Sequence, residues 1–193
     1  MIAIEVGANN GRDTQAMLDQ GYEVYAFEPT PELHLDLSKR LSHYENYYPI
    51  CAAVDTEDGW GTFYVAGQSD WGCSSLHDFN PEIHSLWEGR PDFNVTHKYT
   101  VQKIRLDTFM EVYSFNKIDY LWIDAQGNDL AVLQSLGSRI YKVRAGRCEV
   151  ALTVNLYNTD NTFDNVTKFL EDNGFTYTWD TENGKEANIY FSR

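Results

Sequence analysis

An acid some twenty positions beyond a glycine turn can hold a ribose, and this chain opens with that arrangement. Ile4-Glu5-Val6-Gly7-Ala8-Asn9-Asn10-Gly11 is followed by Glu28-Pro29. The apolar run Ile2 to Val6 predicts a buried strand, and Gly7 lets the backbone turn where a side chain would collide. Gly11 permits close approach at the start of a helix over 12–20, whose free N–H groups attract an anion. A second apolar run, Tyr22 to Phe27, ends at Glu28. A carboxylate at the tip of a second parallel strand is placed to accept hydrogen bonds from two ribose hydroxyls. The pattern predicts a nucleoside-binding βαβ unit; the plainer reading is a βαβ unit without a ligand.

The dinucleotide fingerprint G-x-G-x-x-G uses its middle glycine to let a pyrophosphate touch the backbone. Asn9 stands in that place and the spacing is Gly7-x-x-x-Gly11, so a nicotinamide dinucleotide, and with it an oxidoreductase, is disfavoured. S-adenosylmethionine carries no phosphate and tolerates the looser loop. Further blocks run through Ala26-Phe27-Glu28-Pro29-Thr30-Pro31, Ala52-Ala53-Val54-Asp55 and Arg105-Leu106-Asp107-Thr108-Phe109. The longest is Ile118-Asp119-Tyr120-Leu121-Trp122-Ile123-Asp124-Ala125-Gln126-Gly127-Asn128-Asp129-Leu130-Ala131-Val132-Leu133. With these blocks in order, the sequence resembles the FkbM family of class I S-adenosylmethionine-dependent methyltransferases. The resemblance implies a Rossmann-like α/β fold, S-adenosylmethionine as methyl donor, and O-methylation of a sugar, a glycan or a natural product. It also implies that Glu5, Gly7, Ala8, Asn9, Gly11, Glu28 and Pro29 belong to the cofactor site, with Ala52 and Ala53 near the adenine. Ser74-Ser75-Leu76 matches a family pattern whose role the sequence does not supply.

Methyl transfer from a sulfonium is an in-line displacement, so alignment and water exclusion are the protein's main tasks. An alcohol acceptor must also lose a proton, which calls for a base or a metal ion. Asp124 ends the apolar run Tyr120 to Ile123, at the strand edge where open α/β sheets bind ligands. It is expected to act either as the base or as the partner of the donor's ammonium. Glu149, in the next strand, is a second candidate base or metal ligand; the alternative is an ion pair with Arg144 or Arg147. Asp13 and Thr14 are expected to contact the cofactor or to cap the helix. Gln126 and Asp129 stand where many relatives carry Glu, so a divalent metal is conceivable but unsupported, and its ligands are unknown. The Gln126 exchange also leaves open a non-catalytic cofactor-binding module. His77, His84 and His97 are further candidate bases, although lone histidines among aromatic residues are usually structural.

To position these groups the pattern predicts strands near 2–6, 22–27, 47–54, 60–66, 99–105, 118–124, 147–154, 175–180 and 187–192. Helices are predicted near 12–20, 31–42, 107–115, 129–137 and 162–173. Their alternation implies a mostly parallel sheet with right-handed crossovers. The last two strands, either side of a turn-rich stretch, read as a C-terminal antiparallel hairpin. Residues 67–99 break the pattern, with Trp71, Phe79, Trp87 and Phe93 and no clean period. This segment is expected to be either a lid over the acceptor or a packed excursion with a short helix near Pro81 to Trp87.

A length of 193 residues suits one domain spanning 1–193. No apolar stretch approaches eighteen residues, and the N-terminus enters a strand at once, so a secretory signal is expected to be absent or already removed. Cys51, Cys73 and Cys148 are odd in number and widely spaced, which points to the reducing cytoplasm and away from a zinc site. The net charge of −14 is spread along the chain and would repel a phosphate backbone. The expected partner is a small-molecule or glycan acceptor, neutral or cationic, with no nucleic acid and no membrane.

Overall fold

The computed structural model describes residues 1–67 and 71–193. β1 (Ile2–Val6) is central because both of its faces are apolar or sealed. Ile4 and Val6 point to one side of the sheet and Ala3 to the other, all buried. β1 pairs in parallel with β2 (Glu23–Phe27) and with β7 (Tyr120–Ile123). β3 (Tyr47–Ile50) extends the sheet beyond β2, and β8 (Ala145–Ala151) extends it beyond β7. β10 (Glu186–Ser192) then runs antiparallel between β8 and β9 (Thr176–Asp180). The order is β3-β2-β1-β7-β8-β10-β9. It reverses between β1 and β7, so the carboxyl ends of these strands open a crevice.

Helices cover the sheet on both sides. α1 (Arg12–Asp19) and α2 (Pro31–Arg40) bury Met17, Leu18 and Leu37 against Ala3, Val24 and Ala26. On the other side α4 (Leu106–Val112), α5 (Asp129–Ser135) and α6 (Phe163–Asp172) set Phe109, Leu133 and Leu170 against the larger core. Asn173 closes α6 and Gly174 follows at φ 77°, a left-handed exit that glycine adopts freely.

The expected strand 47–54 is two strands in two sheets. β3 stops at Ile50, where the Ala52 N–H turns back onto the Ile50 carbonyl at 3.1 Å. Beyond it β4 (Ala53–Val54) pairs in parallel with β6 (Val95–Ile104), which pairs antiparallel with β5 (Gly59–Ala66). The second sheet therefore claims the last residues of the 67–99 segment as strand. Residues 68–70 and the Trp71 side chain lie outside the described residues. The rest carries the short helix α3 (Ile83–Leu86) and packs Phe79, Ile83 and Phe93 against Leu156 and Tyr157. Among the described residues no helix is long and apolar enough to cross a membrane.

Candidate active site

Gly7 follows β1 at φ 90°, and its N–H donates to the Phe27 carbonyl at 3.0 Å, tying the turn to β2. A Cβ there would lie 2.0 Å from the Asp124 carbonyl oxygen, so the β1 turn and the end of β7 can meet only through glycine. Asn9 follows at φ 44°, a left-handed conformation that asparagine tolerates better than most side chains. Its N–H donates to Glu28 Oε2 at 2.7 Å, and the Thr30 N–H donates to Oε1 at 2.8 Å. Glu28 is thus fixed at the tip of β2 with further lone pairs on each oxygen. Burial raises its pKa, and the two N–H bonds oppose the rise.

Beside Glu28 lies a cleft of about 580 Å³, open solvent included. Gly7, Asn9, Glu28, Pro29 and Asp124 form its polar side, and Phe27, Ala52, Ala53, Phe63 and Leu76 its apolar side. Thr30 also lines it, with its buried Oγ1 beside the Glu28 carboxyl. Glu5, Ala8, Gly11, Asp13 and Thr14 do not line this cleft. Glu5 lies beneath the loop, where its Oε2 accepts from Thr14 Oγ1 at 2.5 Å, and burial pushes its pKa up to about 8. Thr14 is spent on that bond and caps nothing; the N-cap of α1 is Gly11, with no side-chain cap. Gly11 instead packs against Leu37, which an added Cβ would strike at 2.2 Å.

Asp124 and Glu149 are brought together by Gln126. The Gln126 Nε2 donates to Asp124 Oδ1 at 2.6 Å and lies 3.3 Å from Glu149 Oε2. Its Oε1 lies 2.9 Å from the Tyr157 hydroxyl, whose single hydrogen is shared with the Cys73 carbonyl at 2.7 Å, and its backbone carbonyl accepts from Ser75 Oγ at 2.7 Å. Two carboxyl groups therefore flank the nitrogen of the amide and a hydroxyl its oxygen. Burial raises both acids, Glu149 to about 9, with Asp124 and Glu186 adding repulsion there. The ion pair of Glu149 with Arg144 or Arg147 is not among those of the described residues; Arg147 bonds Asn188 and stacks on Trp122. Asp129 supports the group from below: its carboxylate accepts from the Ala125 and Glu149 N–H groups, and burial lifts it to about 8.

A second cavity of about 470 Å³, open solvent included, shares Gln126 with the first but is not lined by Glu28. Glu149, Glu186 and Arg90 line it with Trp87, Phe93 and Leu156. Arg90 is ion-paired with Asp92 at 2.6 Å and lies over Phe93. Sequence reasoning missed Tyr157, Glu186 and Asn128, and left Ser75 without a role. Asn128 ties β4 to the site through the Val54 carbonyl and meets His77 Nε2 at 2.9 Å. No local pattern marks these residues, because their partners lie far along the chain. His84 is exposed, and the His97 ring packs on Tyr99. Among the described residues no group of three or more His, Cys, Asp or Glu is arranged to hold a metal.

A family model described as the methyltransferase FkbM domain matches residues 5–177. The chain belongs to the FkbM methyltransferase family. Solved structures share the fold of this FkbM methyltransferase at low identity. An rRNA methylase from Streptococcus thermophilus is 14% identical with a TM-score of 0.52, over 100% of this chain and 86% of that one. Fibrillarin from Aeropyrum pernix, with natively bound S-adenosylmethionine, is 15% identical with a TM-score of 0.55. That match covers 98% of this chain and 65% of fibrillarin. A Streptococcus mutans protein solved with S-adenosylhomocysteine is 13% identical with a TM-score of 0.53, over 99% and 87% of the two chains. No curated protein sequence matches the chain. The methyl donor of the family, S-adenosylmethionine, suits the cleft: a carboxylate fixed by two N–H groups, with lone pairs to spare, faces an apolar wall.

Proposed function

We propose that this FkbM methyltransferase methylates a hydroxyl group of a sugar, a glycan or another natural product. The observation that carries the reading is the carboxyl pair Asp124 and Glu149, bridged by Gln126 between the two cavities. When bound, the donor supplies a methyl group already activated on a positively charged sulfur. Glu28 accepts from the ribose hydroxyls, and Pro29, Ala52 and Ala53 shape the adenine side. Gly7 and Asn9 keep the backbone close to the methionine portion. Asp124 or Glu149 takes the acceptor's hydroxyl proton on a carboxylate oxygen. A burial-raised proton affinity lets whichever acid is ionised hold that proton, and because the two titrate as a pair with Glu149 raised to about 9, turnover should rise with pH.

The half-buried Trp87 offers an apolar surface to a pyranose in the second cavity. The segment around α3 acts as the lid of that cavity within a single domain. The net charge of −14 argues against nucleic acid as the acceptor, and the three cysteines favour the cytoplasm. Isotope-labelled donor offered with a panel of glycans, polyols, amines and carboxylic acids tests the assignment by mass spectrometry. Label on a hydroxyl-bearing product, lost in Asp124→Asn, supports it. Label confined to amines or carboxylates refutes it. Binding of donor without transfer to any class would favour the non-catalytic module.

A further inference from the structure

The seven-stranded sheet ends at β3 on one side and at β9 on the other. β3 carries Pro49, whose nitrogen has no hydrogen to offer a further strand. β9 reads Thr176-Tyr177-Thr178-Trp179-Asp180, with no proline, lysine or arginine and no irregularity in its pairing with β10. Asp180 is turned back onto β10, where its oxygens accept from Asn188 Nδ2 at 3.1 Å and the Tyr190 hydroxyl at 3.2 Å. Lys185, in the turn beyond, reaches the other way, with Nζ 4.6 Å over Trp87. The usual devices that stop a strand edge from pairing are therefore missing from β9.

The side chains of β9 are also complementary to themselves. Tyr177 and Trp179 stand on the α6 side of the sheet, with their rings 6.4 Å and 5.1 Å from that of Phe163. Trp179 nevertheless remains 49% exposed. Thr176, Thr178 and Asp180 stand on the opposite side, beside the exposed Tyr190. An antiparallel copy of the strand centred on Thr178 pairs all five residues. Tyr177 then faces Trp179 of the second copy, twice, and Thr178 faces its own equivalent. Asp180 faces Thr176, so no like charges meet. Aromatic and threonine pairs directly opposed are among the favourable cross-strand contacts.

We propose that β9 is a homodimer interface, pairing antiparallel with β9 of a second copy about a two-fold axis at Thr178. The two main sheets join into one, and the paired contacts are the same on both copies, as a closed two-fold interface requires. The active sites are untouched, so the proposal stands apart from the choice of acceptor. The repulsion between two chains of charge −14 opposes association, and salt therefore strengthens it.

Sedimentation equilibrium from about 1 to about 200 µM tests the proposal, the range in which a small interface of this kind forms. The expected result is a rise from one to two chain masses, larger at high salt. Thr178→Lys sets two ammonium groups face to face across the axis and should weaken the dimer roughly fivefold or more, as should Thr178→Asp. Mixing these two variants should restore pairing as a Lys–Asp heterodimer. Thr176→Lys, opposite Asp180 of the second copy, should tighten the dimer and serves if the Thr178 variants fail to fold. Far-ultraviolet circular dichroism and S-adenosylhomocysteine binding confirm intact protein. A chain that stays monomeric throughout overturns the proposal, as does a dimer indifferent to all three folded substitutions.

Discussion

Glu28 carries two duties on one carboxylate: it pins the loop through the Asn9 and Thr30 N–H groups and lines the cleft. Glu28→Ala should weaken S-adenosylhomocysteine binding by about 1.5–3 kcal/mol, the range for hydrogen bonds to a charged group. Calorimetry on folded mutant protein reads this directly, and unchanged affinity would remove the ribose assignment. Asp124 separates two roles. As the base, Asp124→Asn should keep most donor affinity while single-turnover rate falls roughly 10²–10⁴-fold. As the ammonium's partner, its loss should show first in affinity. Both quantities measured on one mutant decide between them, and full retention of both would place the chemistry elsewhere. The position of Glu28 at the strand tip was legible in the sequence because glycine turn, helix and acid lie within one short stretch of chain. The Gln126 bridge could not, since Tyr157 and Ser75 lie 31 and 51 positions away.

The turn after β1 is held by contact as well as by conformation. Gly7→Ala must fit a methyl group where the Asp124 carbonyl sits 2.0 Å away, at φ 90°. It should destabilise the protein by roughly 3 kcal/mol or more and abolish S-adenosylhomocysteine binding. Gly21→Ala is the matched control, since it also has a positive φ, 81°, but nothing within 4 Å of the added carbon. Its cost should stay at about 1–2 kcal/mol, the conformational penalty alone. Thermal melts of both variants compare the two; equal losses would mean that the close approach at Gly7 is unimportant. The expected strands and helices followed apolar period closely in the main sheet. The break at Ile50 escaped because β4 takes its partner from β6, some fifty residues on, which no local period records.

Across the molecule, several buried carboxyls hold protons more tightly when folded than when unfolded. Glu5 and Asp129 are raised to about 8 and Glu149 to about 9, chiefly by burial. The folded state therefore binds more protons than the unfolded chain above pH ~4, and stability falls as pH rises. The contribution of these groups is complete below their ordinary range and is lost as pH climbs through about 8 to 9. The Tm of the ligand-free protein should drop by roughly 5 °C or more between pH 5 and 9. Glu5→Gln, which keeps an acceptor for Thr14, should flatten part of that slope. A Tm rising over the same interval would contradict the account.

The placement of β10 between β8 and β9 also bears on how the chain is made. A ribosome delivers β9 before the strand that joins it to the sheet exists. Until Glu186–Ser192 emerges, β8 has a bare flank and β9 has nothing to bind. The nascent chain therefore holds an incomplete sheet through the synthesis of α6 and β9, and only the last strand closes it. Chains stalled before Glu186 should be cut readily by protease, and those stalled well past Ser192 should resist it.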